Sequence, residues 1–219
     1  MFEAEARWLH AALDQFAPEQ LSPLLNLGSS TADFRERVQP WTERILFQPL
    51  RARGVDIVHV DRRAGPGIDI RADLADPADL PRLRAPRPRA VLCCNLLEHV
   101  SEPERIARHC VDVLPRSGLA FVTVPYSYPY HRDPIDTMFR PRPAVLAALF
   151  PTTRLVDAAI VGAGMSYRDD VRRRPWILLR HAARFPVPFV SWEKWKRSMA
   201  KLYWLAAEYR ITCAVFEKQ

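Results

Sequence analysis

The sequence predicts an α/β fold: a mainly parallel sheet with helices on both faces. Three observations carry that reading. Short β-branched or wholly apolar runs alternate along the chain with amphipathic stretches. Most of those runs lack the in-and-out alternation of a half-exposed sheet, so they predict strands buried on both sides. Five candidate strand ends carry residues suited to turns or to chemistry: Gly28, Asp61, Asp73, Asn95 and Pro125. In open parallel sheets ligands sit at the carboxyl ends of strands, beside the point where strand order reverses.

The elements follow in order. Ala4 to Phe16 spaces Trp8, Leu9, Ala12, Leu13 and Phe16 along one face of a helix. Pro18 and Pro23 break the chain, and Leu24-Leu25-Asn26-Leu27 predicts a first strand running into Gly28. Helical segments are expected from Thr31 to Arg53, interrupted by Pro40 and Pro49. Val55 to Val60 is the clearest strand and is closed by Asp61; Ile68 to Leu74 and Arg89 to Asn95 predict two more. Glu102 to Leu114 reads as a helix followed by Gly118, and Leu119 to Pro125 as an almost wholly apolar strand. A helix over Pro141 to Phe150 and a strand over Arg154 to Val161 come next. Arg172 to Ala207 is largely helical with breaks around Pro186 and Pro188, and Tyr209 to Phe216 is the last strand. The 219 residues suit one domain, with 1–20 as an N-terminal helix and 166–207 as a basic helical insertion before the last strand.

Charge and cysteine content narrow the function classes. The segment from Arg168 to Lys201 holds ten Lys/Arg against three Asp/Glu and accounts for the whole net charge of +7. Trp176, Trp192, Trp195 and Trp204 lie in it or just beyond. Basic and aromatic residues together suit an anionic membrane surface or a phosphate-bearing, lipid-linked sugar, and equally a solvated helical cap. No nucleic-acid-binding motif accompanies them, so such a partner is not expected. Cys93, Cys94, Cys110 and Cys213 lack the paired spacing of a zinc site and read as free thiols in a reducing compartment; no metal is expected. Charges at Glu3, Glu5, Arg7 and Asp14 interrupt the N-terminal apolar residues, and no long apolar run follows. The expected location is the cytoplasm, with peripheral contact at the inner membrane face through 168–204.

Two runs carry the chemistry. Gly28-Ser29-Ser30-Thr31-Ala32 is a tight, small-residue bend after the first strand, suited to close approach of a ligand. Asp61 ends the next strand, where a carboxylate can accept both hydroxyls of a ribose; a solvated turn beside Arg62 and Arg63 is the plainer reading. Asp73 and Leu74 stand at the following strand end. Farther on, Asn95-Leu-Leu-Glu-His-Val100 is followed by Pro103, Val113-Leu-Pro-Arg-Ser-Gly118 and Phe121-Val-Thr-Val-Pro125. That order and spacing resemble the second half of a class I S-adenosylmethionine-dependent methyltransferase of the bacterial type-11-like kind. The likeness covers roughly residues 22 to 165 and the last ten or so. It implies a Rossmann-like sheet of about seven strands, the last antiparallel, and S-adenosylmethionine as cofactor. It implies that Gly28, Ser29 and Ser30 line the methionine part, Asp61 the ribose, Asp73 and Leu74 the adenine, and Asn95 and Leu96 the sulfonium. Of the family's Gly-x-Gly-x-Gly loop only Gly28 is present, and the gap from Gly28 to Asp61 exceeds the usual spacing of about twenty residues.

Tyr126-Ser-Tyr-Pro-Tyr-His131 continues into Pro134, Asp136 and Arg140, an "H-x-x-P-x-D" element similar to one in some bacterial members of the family. His131 is the candidate base with Asp136 orienting it, and Tyr126, Tyr130 and Arg140 are candidate acceptor contacts. A rigid lid in which His and Asp hold each other is the plainer alternative. Glu98 and His99 read as a capping and packing pair. The leading expectation is methyl transfer to a small-molecule, glycan or lipid-linked acceptor. A fold relative that serves as a scaffold is the alternative. A nicotinamide enzyme is disfavoured, because Gly-x-Gly-x-x-Gly is absent.

Overall fold

The computed structural model describes residues 1–131 and 135–219. Its centre is one seven-stranded sheet: β1 (Leu24–Leu27), β2 (Ile57–Asp61), β3 (Ile70–Arg71), β4 (Ala90–Cys94), β5 (Leu119–Ser127), β6 (Thr153–Ser166) and β7 (Glu208–Lys218). The strand order is β3-β2-β1-β4-β5-β7-β6. Pairings among β1 to β5 are parallel, and β7 runs antiparallel between β5 and β6. The order reverses between β1 and β4, so the ligand-binding crevice of such a sheet falls beyond Leu27 and Cys94.

Successive side chains of the central strands serve opposite cores. Leu25, Leu27, Val91, Cys93, Ala120 and Val122 face the helix Pro103–Asp112 and Phe150. Leu24, Ala90, Leu92, Leu119 and Phe121 face the first helix, α1 (Glu3–Leu13), and Leu46, Phe47 and Leu50 of the helical turns after β1. Both sets are buried, which is why these strands read as continuous apolar runs. A third cluster joins Ala163, Tyr209, Ile211 and Cys213 to Tyr167 and Ile177, under the helices Tyr167–Arg173, Trp176–Arg184 and Trp192–Ala200.

Three elements differ in extent from the sequence reading. The strand expected over Ile68 to Leu74 shrinks to Ile70–Arg71. Asp69 accepts from the His59 amide (2.7 Å) and Asp73 from the Ala75 amide (2.9 Å), so side-chain acceptors take over both ends of that edge strand. β6 runs to Ser166 because it pairs with β7 along nearly its whole length. The stretch from Arg172 divides at Pro175 and again between Phe185 and Ser191, where Pro186 and Pro188 lie. No described helix is long and apolar enough to cross a membrane.

Candidate active site at the carboxyl edge of the sheet

On the β1 side, the bend after Leu27 closes on itself through backbone contacts. Gly28 has φ 69°, and a Cβ placed on it would stand 3.2 Å from Leu96 Cδ1, so the bend and the loop after β4 approach closely only because residue 28 is glycine. Ser30 holds φ 56°, a left-handed conformation that favours glycine. Its amide donates to Asp61 Oδ2 (2.9 Å), and the Arg63 amide donates to Oδ1 (2.9 Å). The buried Arg35 guanidinium ties the bend to the loop after β2, donating to Ser30 O (2.6 Å), Ser29 O (3.3 Å) and Gly67 O (2.8 Å). The Ala32 amide donates to Pro66 O (2.9 Å).

Asp73 caps its own turn after β3, and its amide donates to Asp79 Oδ2 (2.9 Å). Leu74 is 8 % exposed at the edge of the core, and its carbonyl meets His109 Nδ1 at 2.6 Å. Asn95 has φ 50°, a conformation asparagine tolerates, and its amide donates to Thr123 O. Its side-chain amide donates to Glu5 Oε1 (2.7 Å), which also accepts from Thr123 Oγ1 (2.5 Å).

On the β4–β5 side, the structure brings His131 and Asp136 together. His131 Nδ1 lies 3.2 Å from Asp136 Oδ2 but out of line for a hydrogen bond, and no other described group partners it. The same carboxylate accepts from the His131 amide (3.0 Å), the Met138 amide (2.8 Å) and the Arg140 guanidinium (2.7 Å). Burial alone would raise the Asp136 carboxyl, but the Arg140 hydrogen bond and the two amides hold it below its ordinary value. Burial lowers the His131 imidazole against the opposing pull of Asp136. Arg140 therefore locks Asp136 in place, and it also reaches Tyr128 O. Tyr126 is half-buried at the end of β5; the Tyr130 ring lies under the Arg197 guanidinium, 4.1 Å from its centroid. Pro134, part of the expected element, lies outside the described residues.

No family model matches the chain, and no curated relative does. Solved structures do. A SAM-dependent methyltransferase from Archaeoglobus fulgidus is 13% identical and superposes with TM-score 0.54 over 99% of this chain and 96% of its own. The 1,6-didemethyltoxoflavin-N1-methyltransferase of Burkholderia thailandensis, solved with 1,6-didemethyltoxoflavin and S-adenosylhomocysteine, is 13% identical with TM-score 0.53 over 99% and 79%. Coclaurine N-methyltransferase, solved with N-methylheliamine and S-adenosylhomocysteine, is 14% identical with TM-score 0.52 over 95% and 70%. The fold is that of the class I methyltransferases.

Within that methyltransferase fold, three groups at the edge escaped the sequence reading. Glu5 is fully buried on α1, one helical turn before Leu9 and two before Ala12, so an acid stood at a core position of the helix pattern. Arg35 is buried although no local pattern marks it. Glu98 is fully buried, and among the described residues neither carboxylate oxygen has a hydrogen-bond partner. Burial pushes its carboxyl up to about 8.

The methyltransferase fold carries a separate basic cleft in its C-terminal helices. It encloses about 280 Å³ and is lined by Tyr130, Arg180, Arg184, Lys194, Arg197 and Lys201, among others. Burial first, then Arg180, lowers the Lys201 ammonium. So many cations around one space favour an anion there.

Proposed function

We infer that the protein is an S-adenosylmethionine-dependent methyltransferase whose acceptor carries a phosphate, in a glycan or lipid-linked setting. The observation that carries this reading is the Gly28–Ser30 bend docked on Asp61 at the point where strand order reverses. Asp61 is the fit test for the cofactor. An ionised carboxylate has about four acceptor sites, and the Ser30 and Arg63 amides take one on each oxygen. One site per oxygen is left for the two hydroxyls of a ribose.

S-adenosylmethionine supplies a methyl group already activated on a sulfonium, so the chain's task is alignment. Gly28, Ser29 and Ser30 hold the methionine part, and Asp73 and Leu74 take the adenine. Asn95 and Leu96 border the sulfonium, and the Glu5 carboxylate behind Asn95 favours its positive charge. Tyr126 and the Asp136-backed His131 border the acceptor. The basic cleft beside Tyr130 receives the acceptor's phosphate. Leu179, Phe189 and Val190, each more than 70 % exposed, stand among the same basic helices and suit an anionic membrane surface.

A second reading, a scaffold protein that binds no cofactor, is favoured by Leu96 covering Gly28 and by the Arg35-held closure of the bend. Titration with S-adenosylhomocysteine separates the two. At about a hundred times Kd the ligand adds about 2.7 kcal/mol, a rise in melting temperature of about 5–10 °C for a chain of this size. No shift at millimolar ligand selects the scaffold. Asp61→Ala is expected to weaken binding about tenfold or more by removing both ribose acceptors; unchanged affinity rejects the ribose role. Flotation with anionic vesicles at low salt tests the lipid setting, and failure to float removes it.

A further inference from the structure

Glu98, His99 and His131 form a cluster that the methyl-transfer reading leaves unused as a unit. One donor atom from each lies within 4.8 Å of the others. His99 Nε2 stands 3.3 Å from His131 Nε2 and 3.7 Å from Glu98 Oε1. Tetrahedral ions bound at about 2.0–2.1 Å space their ligand atoms about 3.3 Å apart. The nitrogen pair is at that spacing already, and the carboxylate oxygen stands within side-chain adjustment of it, 3.7 Å from one nitrogen and inside 4.8 Å of the other residue's.

The surroundings orient the His99 ring as a metal-binding imidazole is oriented and place a carboxylate behind the His131 ring. His99 Nδ1 lies 2.5 Å from the Ile135 carbonyl, which fixes the proton on Nδ1 and leaves Nε2 as a bare lone pair facing the cluster. Asp136 backs the Nδ1 side of His131 while its Nε2 faces inward. Thr137 anchors the loop to the cluster by donating its amide (2.9 Å) and hydroxyl (3.1 Å) to Glu98 O. Glu98 supplies the independent sign of a ligand. It is fully buried, both its oxygens lack hydrogen-bond partners among the described residues, and it sits against two imidazoles. A carboxyl sealed in that state has no partner among the described residues, and a cation would give it one.

We propose that Glu98, His99 and His131 bind a first-row divalent cation of the zinc, cobalt or nickel type. Two imidazoles and one carboxylate select these ions over magnesium and calcium, which take oxygen ligands. Three protein ligands leave a coordination position open, as catalytic rather than purely structural sites do. Glu98 and His99 directly follow Asn95 and Leu96 in sequence, and His131 follows β5, so the open position would lie beside the proposed transfer site and suit an oxygen of the acceptor. This last consequence rests on the methyl-transfer reading; the ion site itself does not.

The test uses full-length, tag-free protein stripped with a chelator and titrated with Co²⁺ and Zn²⁺ in the absence of S-adenosylmethionine. About one equivalent is expected to co-elute on gel filtration, with the visible absorption bands of four- or five-coordinate cobalt, while Mg²⁺ does not compete. Glu98→Gln and His99→Asn are expected to weaken binding about tenfold or more, with circular dichroism confirming that each is folded. Asp136→Asn, which changes the carboxylate behind His131 and its pairing with Arg140 but none of the three ligands, should shift the cobalt spectrum. His10→Gln, on α1 and outside the cluster, should bind as the unmodified chain does. Less than about a tenth of an equivalent on folded protein, or Glu98→Gln binding like the unmodified chain, overturns the proposal. Failure to bind S-adenosylhomocysteine would overturn only the methyl-transfer reading.

Discussion

Around Gly28 the chain answers each strong polar group with its own backbone, whereas around His131 it leaves a buried carboxylate and a ring nitrogen without hydrogen-bond partners. On the first side, Asp61 takes two amides and Arg35 takes three carbonyls, so charge holds two loops together. On the second, Asp136 and Arg140 satisfy each other, but Glu98 and His131 Nδ1 do not find partners among the described residues. Charge is thus a fastener on one side of the crevice and a reserve for a ligand on the other. Removing a charge should therefore act with opposite sign on the two sides.

Arg35→Ala should have the largest effect. It takes a charged donor from three carbonyls, the buried Ser29 one among them, and frees the bend from the loop after β2, a loss of about 3 kcal/mol in urea denaturation. A loss under about 1 kcal/mol would show that the bend stands without its guanidinium. Glu98→Gln should act the other way. In chelated, metal-free buffer at pH 7 it should raise stability by about 2 kcal/mol, because folding must protonate a carboxyl that burial pushes up to about 8, and a neutral amide needs no proton. A fall of similar size would reveal a partner for Glu98 and erase the contrast. Ser30→Gly should have the smallest effect. The left-handed serine costs about 1–2 kcal/mol, and glycine's extra freedom when unfolded returns about 0.5–1 of that. A gain of about 0.5 kcal/mol is expected in thermal melts, while Ser30→Ala, which keeps the strain, should show none.

The readable parts of the molecule were those whose signal is local. β2 announced itself through a β-branched run, β5 through an almost wholly apolar one, and the turn at Gly28 through one residue with unusual freedom. The pairing of His131 with Asp136 was legible because the two lie five residues apart in a proline-stiffened loop. Glu98 and His99 passed as a capping pair, since nothing local tells an acid that will be sealed from water from one that will not.

By itself the sequence determined the order of strands and helices, the two-sided burial of the sheet and the position of the strand ends, because hydrophobic periodicity and turn chemistry act over a few residues. Only the tertiary structure decided that Glu5 would reach Asn95, that Arg35 would clasp a loop thirty-two residues away, and that His131 would come to rest against His99. Those meetings depend on which strands become neighbours, and that is settled by packing across the whole core.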